Sequence, residues 1–215
     1  MLSKYYTVKR EGSHEIVIQK SRFIGYVRRT ETEEEAQQFI QEIKKKHYDA
    51  THNCSAYLIG EHDQIQKAND DGEPSGTAGV PMLEVLKKMG LKDTAVVVTR
   101  YFGGIKLGAG GLIRAYGNAT SEAIRHTGIV KRQLMKGFSV TADYGLLGKL
   151  ENVLRQSEYI LEDIHYSENV EFIVYVEDGK EENFTEWMVD LTNAQAEIET
   201  IGEKYIEIDV SSTKE

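Results

Sequence analysis

Chemistry-bearing residues crowd into two short stretches of this 215-residue chain. The first, NDDGEPSGTAGVP (Asn69 to Pro81), holds Asp70, Asp71, Glu73, Ser75 and Thr77 among Gly72, Gly76 and Gly79. The second, RYFGGIKLGAGGLIRAYG (Arg100 to Gly117), carries Arg100, Lys106 and Arg114 with Tyr101, Phe102 and Tyr116. Glycine loses more backbone entropy on folding than other residues, so such clusters mark sharp turns or close approach to another surface. In the first stretch, Ser75, Gly76, Thr77 and the free N–H groups of a following helix could hold a phosphate or carboxylate. Its three acids would repel an anion, so Asp70, Asp71 and Glu73 read as cation ligands or as structural groups. The same residues also suit an acidic turn ending in a hydroxyl helix cap. In the second stretch, backbone donors at Gly110 and Gly111, three cations and aromatic faces suit the phosphates and bases of RNA. The plainer reading there is close helix-on-sheet packing around glycine, with arginines at the surface.

Familiar catalytic spacings fail one by one. A nucleotide phosphate loop needs lysine directly after its second glycine, where Ala109 follows Gly108. A dinucleotide fingerprint needs a third glycine where Ile113 stands. Ser75 lacks a nucleophile elbow, because Glu73 and Thr77 occupy its glycine positions. His47 and His52 are wrongly spaced for ligands on one helical face, and Cys54 is the single cysteine. No catalytic residue, metal or cofactor is assigned on these grounds. His52, beside a strand start, reads as structural.

The elements that must position these stretches follow from periodicity. Strands are expected over Tyr5 to Arg10 and Glu15 to Val27. A helix capped by Thr32 follows, with Glu33 to Glu35 in its first turn, Lys44 to Lys46 in its last, and Ala36, Phe39, Ile40 and Ile43 as its buried stripe. Cys54 to Ile59 and Gln64 to Ala68 read as a hairpin. Met82 to Met89 reads as a helix stopped by Gly90, and Thr94 to Tyr101 as the most buried strand. A further helix runs from Gly110 to His126. Beyond it the order becomes βαββαβ: Lys136–Tyr144, Leu146–Ser157, Tyr159–Tyr166, Val170–Val176, Glu181–Leu191 and Ala196–Asp209. That order predicts a ferredoxin-like α+β sandwich. Trp187 belongs to its core, and the tail beyond Val210 is expected to fray.

Charge divides the chain at the same place. Residues 1–132 carry 20 Lys and Arg against 16 Asp and Glu, a formal +4, while residues 133–215 carry 6 against 19, a formal −13. Only the first half suits phosphate; the second is either simply solvated or a surface for a protein partner. A lone cysteine fits a reducing compartment. No apolar run is long enough to span a bilayer, and no secretory signal is visible, so a cytoplasmic location without membrane contact is expected. Oligomeric state is not legible.

Taken together, KANDDGEPSGTAG (residues 67–79) and RYFGGIKLGAGGLIRAY (residues 100–116) resemble the signature region of the IMPACT family, bacterial YigZ type. The resemblance extends over essentially the whole chain. It implies an N-terminal domain like domain 2 of ribosomal protein S5, residues 1–132, and a ferredoxin-like C-terminal domain like part of elongation factor G, residues 133–215. The S5-like fold it implies carries a left-handed βαβ crossover, an exception to a strong rule. Eukaryotic IMPACT proteins are linked to translational control, where they restrain a kinase of an initiation factor by competing for its activator. Their N-terminal RWD domain is missing from this sequence. The resemblance transfers no catalytic residue. It implies that the two motifs form the functional surface of a translation-associated, non-enzymatic protein that binds RNA or the ribosome. The alternatives are an enzyme acting on a small phosphorylated substrate and a protein-binding adaptor.

Overall fold

A computed structural model describes residues 1–210, and the tail beyond Val210 lies outside the described residues. The chain divides into two compact units, one built from Met1–Lys131 with the described residues from Ile208, the other from Arg132–Glu207.

In the first unit β1 (Lys4–Val8) precedes a hairpin of β2 (Gly12–Ile18) and β3 (Ser21–Arg29). The sequence predicts one strand from Glu15 to Val27. The chain instead reverses at Gln19 and Lys20, both in the left-handed region at φ 45° and 68°. Two-residue hairpin turns of this hand normally announce themselves as Asn-Gly or Asp-Gly, and Gln-Lys carries no such signal. Helix α1 (Glu33–Lys46) begins as expected, with Thr32 Oγ1 accepting from Glu35 N at 3.2 Å. Its predicted stripe is buried. Next come β4 (His52–Ile59), β5 (Ile65–Asn69), α2 (Gly79–Lys88), β6 (Thr94–Tyr101) and α3 (Gly108–Thr127).

The sheet runs β2-β3-β6-β4-β5 with every ladder antiparallel. Strand β6 is its centre, which explains the unbroken apolar run Ala95 to Val98. Strands β3 and β4 both run antiparallel to β6 and so parallel to each other, and α1 is the crossover between them. Alternation then sorts side chains to two faces. Ala36, Phe39, Ile40 and Ile43 of α1 pack on Ile24, Tyr26, Tyr57 and Val97 on one face. Met82 and Leu86 of α2 and Leu112, Ala115, Ala119 and Ile124 of α3 pack on Val27, Cys54, Leu58 and Val98 on the other. Helix α3 sits so close that a Cβ on Gly25 would lie 2.9 Å from Ala119 O.

The second unit follows β7 (Ile129–Ala142), α4 (Leu147–Gln156), β8 (Ile160–Tyr166), β9 (Val170–Glu177), α5 (Glu181–Thr192) and β10 (Glu197–Asp209). This is the expected βαββαβ order. Strands β7, β9 and β8 adjoin in that order and β10 pairs with β7, the ferredoxin-like arrangement. Its core is Phe138, Val140, Phe172, Val174, Phe184 and Met188 with Leu150 and Leu154; Trp187 is partly buried against it. One boundary differs from expectation: β7 begins at Ile129, directly after Gly128, rather than at Lys136. Among the described residues no helix is long and apolar enough to cross a membrane.

Candidate functional site

Both motifs converge at one end of β6. Across the sheet, His52 of β4 and Phe23 of β3 stand directly opposite Arg100 of β6, on the face covered by α2 and α3. Arg100 is only 5% exposed, and its Nη1 donates to Glu73 Oε1 at 2.6 Å. Tyr116, fully buried in α3, donates its hydroxyl to the same oxygen at 2.7 Å. Removing two charges from water at this depth costs several kcal/mol each, and close geometry with an added donor offsets that cost. The guanidinium Cζ lies 5.4 and 5.5 Å from the ring centroids of Phe23 and Phe102. Its hydrogen-bonding capacity is not exhausted. Nε has no partner, and Nη2 meets Ser21 Oγ only at 3.5 Å.

His52 Nδ1 lies 2.8 Å from the Asp71 carbonyl oxygen. A carbonyl only accepts, so Nδ1 carries the proton, and Nε2 is left 3.7 Å from Glu73 Oε2. Behind this group burial pushes the Cys54 thiol up to about 12, away from the thiolate form that nucleophilic attack needs. Burial likewise raises the Tyr116 phenol, which stays a hydrogen-bond donor.

The acidic turn spends its carboxylates internally. Asp70 Oδ1 accepts from Ala78 N at 3.0 Å and Gly79 N at 2.9 Å, and its Oδ2 from Gly76 N at 2.8 Å. Burial pushes the Asp70 carboxyl up, but these amides outweigh it and hold it below the usual range. Asp71 takes Lys44 Nζ at 2.6 Å and Asn53 N at 2.7 Å, and these likewise overcome its burial. Of the two readings of Asp70, Asp71 and Glu73, cation ligand or structural group, these internal hydrogen bonds favour the structural one. Among the described residues no group of three His, Cys, Asp or Glu side chains could hold a metal ion. The start of α2 is corrected, since Asp70 already occupies its amides. Thr77 is buried and its hydroxyl donates to Pro74 O at 2.6 Å, while Ser75 stands exposed on the turn.

Helix α3 is different. It has twenty residues, no side-chain cap and no acid in its first turn. The loop before it is fixed by close approach at Gly103, where a Cβ would fall 2.0 Å from the Lys20 carbonyl carbon. Gly104 and Gly108 then adopt φ of 86° and 69°, conformations that favour glycine. A Cβ on Gly108 or Gly110 would meet nothing within 4 Å, so the side-chain positions of this first turn are open. Lys106 is exposed, and so is Arg114, which follows Gly110 by one helical turn on the same exposed stripe; neither makes an ion pair among the described residues. Between this helix start and the Arg100–Glu73 pair lies a cleft of about 380 Å³, walled by His52, Phe102, Lys106, Gly108 and Ala109 among others.

Of the residues expected to face a ligand, Lys106, Gly110 and Arg114 are exposed and Gly111 is half-buried beside Leu107, with Lys106 in the wall of the cleft. Arg100 and Tyr116 are corrected from surface groups to buried partners of Glu73. Tyr101 is engaged by His47 at 2.8 Å and Asp49 at 3.1 Å, with Arg22 stacked over its ring. Phe102, 46% exposed, is the aromatic face on offer. His52 joins the cleft through a strand register that no local pattern announces.

Residues 19–124 match the family described as the Impact N-terminal domain, and residues 140–195 match a domain of unknown function, DUF1949. The chain is 63% identical over its whole length to the IMPACT family member YvyE of Bacillus subtilis, covering 99% of that protein. It is 34% identical to the IMPACT family member YigZ of Escherichia coli, over 86% of this chain and 92% of that one. A Dictyostelium discoideum protein IMPACT homolog shares 41% identity over 41% of this chain, which is 26% of that protein. A solved structure titled as that of a hypothetical protein superposes with a TM-score of 0.60 at 30% identity, covering 94% of this chain and 98% of its own.

Proposed function

This chain belongs to the IMPACT family, and from that membership and the surface at the start of α3 we propose that it is a translation-associated protein whose first unit binds RNA, ribosomal RNA included. The observation that carries the reading is the uncapped N-terminus of α3, flanked by the unpaired cations Lys106 and Arg114 and the exposed ring of Phe102. Helix amides and lysine or arginine side chains take phosphates, and an exposed aromatic face stacks on bases regardless of sequence. Kinship with eukaryotic IMPACT proteins, which are tied to translational control, supports the same direction.

Salt dependence tests it. On single-stranded RNA each neutralised phosphate contributes about 0.7 to the slope of log K against log salt. The double variant Lys106→Glu, Arg114→Glu changes exposed side chains without internal partners and is expected to fold normally. Its RNA affinity should fall and its salt slope should flatten. Unchanged affinity and slope, with an unchanged circular dichroism spectrum, would dismiss the reading.

A further inference from the structure

We propose that the cleft between α3 and the Arg100–Glu73 pair is a pocket for a phosphate monoester, the end phosphate of an RNA strand or of a free mononucleotide. This rests on the RNA-binding reading and names the group that its central cleft accepts. Three independent features meet there. Helix α3 starts at the cleft, which Gly108 and Ala109 help to wall, with no side-chain cap and no acid in its own first turn. The Arg100 guanidinium, 5% exposed, forms part of the wall with Nε unpartnered and Nη2 weakly held. Lys106 borders the same space without an ion pair. Against these cations stands Glu73, whose Oε1 is engaged by Arg100 and Tyr116 and whose Oε2 lies 3.7 Å from His52 Nε2.

A monoester fits better than an internal diester for two reasons. A volume of about 380 Å³ lies at the small end for ligand pockets and suits a chain end, not a run of nucleotides. A monoester also carries a titratable oxygen with a pKa of about 6. His52, with Nδ1 committed to Asp71 O, leaves Nε2, 3.7 Å from Glu73 Oε2, as the ring nitrogen that a phosphate oxygen would meet. Phe102, 46% exposed, then gives the attached base a stacking face.

The test compares one oligoribonucleotide bearing a 5′-phosphate, a 3′-phosphate or neither, by fluorescence anisotropy on the full chain at fixed salt. In parallel, adenosine monophosphate and adenosine are titrated while the amide signals of Gly108 to Gly111 are followed by NMR. One phosphorylated end should bind about tenfold tighter than the bare strand, or adenosine monophosphate alone should shift those amides. The first result identifies the strand end as the source and the second the free mononucleotide. Ala109→Glu places a carboxylate in the exposed first turn, where it favours the helix dipole, and it should abolish either signal while the melting temperature holds or rises. Equal affinities for all three strands with no amide shifts would overturn the pocket, while measurable binding of all three would leave the RNA reading standing. A preference that survives in Ala109→Glu would overturn it as well. Amide shifts with the mononucleotide but no RNA binding would support the pocket and refute the RNA reading.

Discussion

At the start of α2 the amides of Gly76, Ala78 and Gly79 converge on the Asp70 carboxylate, while the start of α3 has no such group. The contrast separates a structural turn from a candidate site, although both stretches look alike in composition. Ser75 and Thr77 suggest a hydroxyl cap by type, but the cap comes from a carboxylate upstream. Glu73 is similar: its partners Arg100 and Tyr116 lie 27 and 43 residues away, and no local spacing encodes them. Asp70 also gives a pH signature. Its folded pKa is depressed, so its contribution is complete above the unfolded value of about 3.9 and is lost as pH falls through that value toward the folded one. Asp70→Asn, which keeps an acceptor but no charge, should cost about 1 kcal/mol at pH 7. Urea unfolding at a series of pH values should show that gap closing below about pH 4. A gap that stays constant to pH 2.5 would mean the charge is irrelevant.

Elements with their own start and stop chemistry were legible in the sequence; those ended by partners were not. Thr32 with its acidic first turn fixed α1, and the buried run of β6 announced the central strand. The βαββαβ order of the second unit followed from period alone. Two boundaries escaped. The β2–β3 turn uses Gln19 and Lys20 at positive φ without glycine or asparagine, and β7 begins before its apolar alternation becomes clear. The loop ahead of α3 depends on close approach, and two glycines test this in opposite directions. Gly103→Ala would drive a Cβ to 2.0 Å from the Lys20 backbone, so the loop must move; a loss of about 1–3 kcal/mol is expected. Gly110 has ordinary helical φ and empty space around it, so Gly110→Ala should gain about 0.4–1 kcal/mol. Thermal melts of the two variants should therefore move to opposite sides of the parent, and a neutral Gly103→Ala would deny the close contact its role.

Across the whole molecule the formal charge is −9, and the excess of acid lies in the second half of the sequence. A polyanion approaching the first unit meets that net field before it meets Lys106 or Arg114. At low ionic strength, with a Debye length of roughly 30 Å at 0.01 M, the repulsion reaches well beyond the surface; at 1 M it shrinks to about 3 Å. Encounter rates respond to this long-range term, whereas dissociation responds to short-range contacts. Glu182, Glu186 and Asp190 of α5 are exposed and make no ion pair among the described residues, so neutralising them leaves internal contacts intact. The triple variant Glu182→Gln, Glu186→Gln, Asp190→Asn should raise the association rate for RNA several-fold at low salt. Its dissociation rate should stay that of the parent, and the two proteins should become indistinguishable near 1 M salt. Stopped-flow traces that showed instead a changed dissociation rate would place part of the RNA contact on α5 itself, and the first unit could no longer be credited with the whole interface.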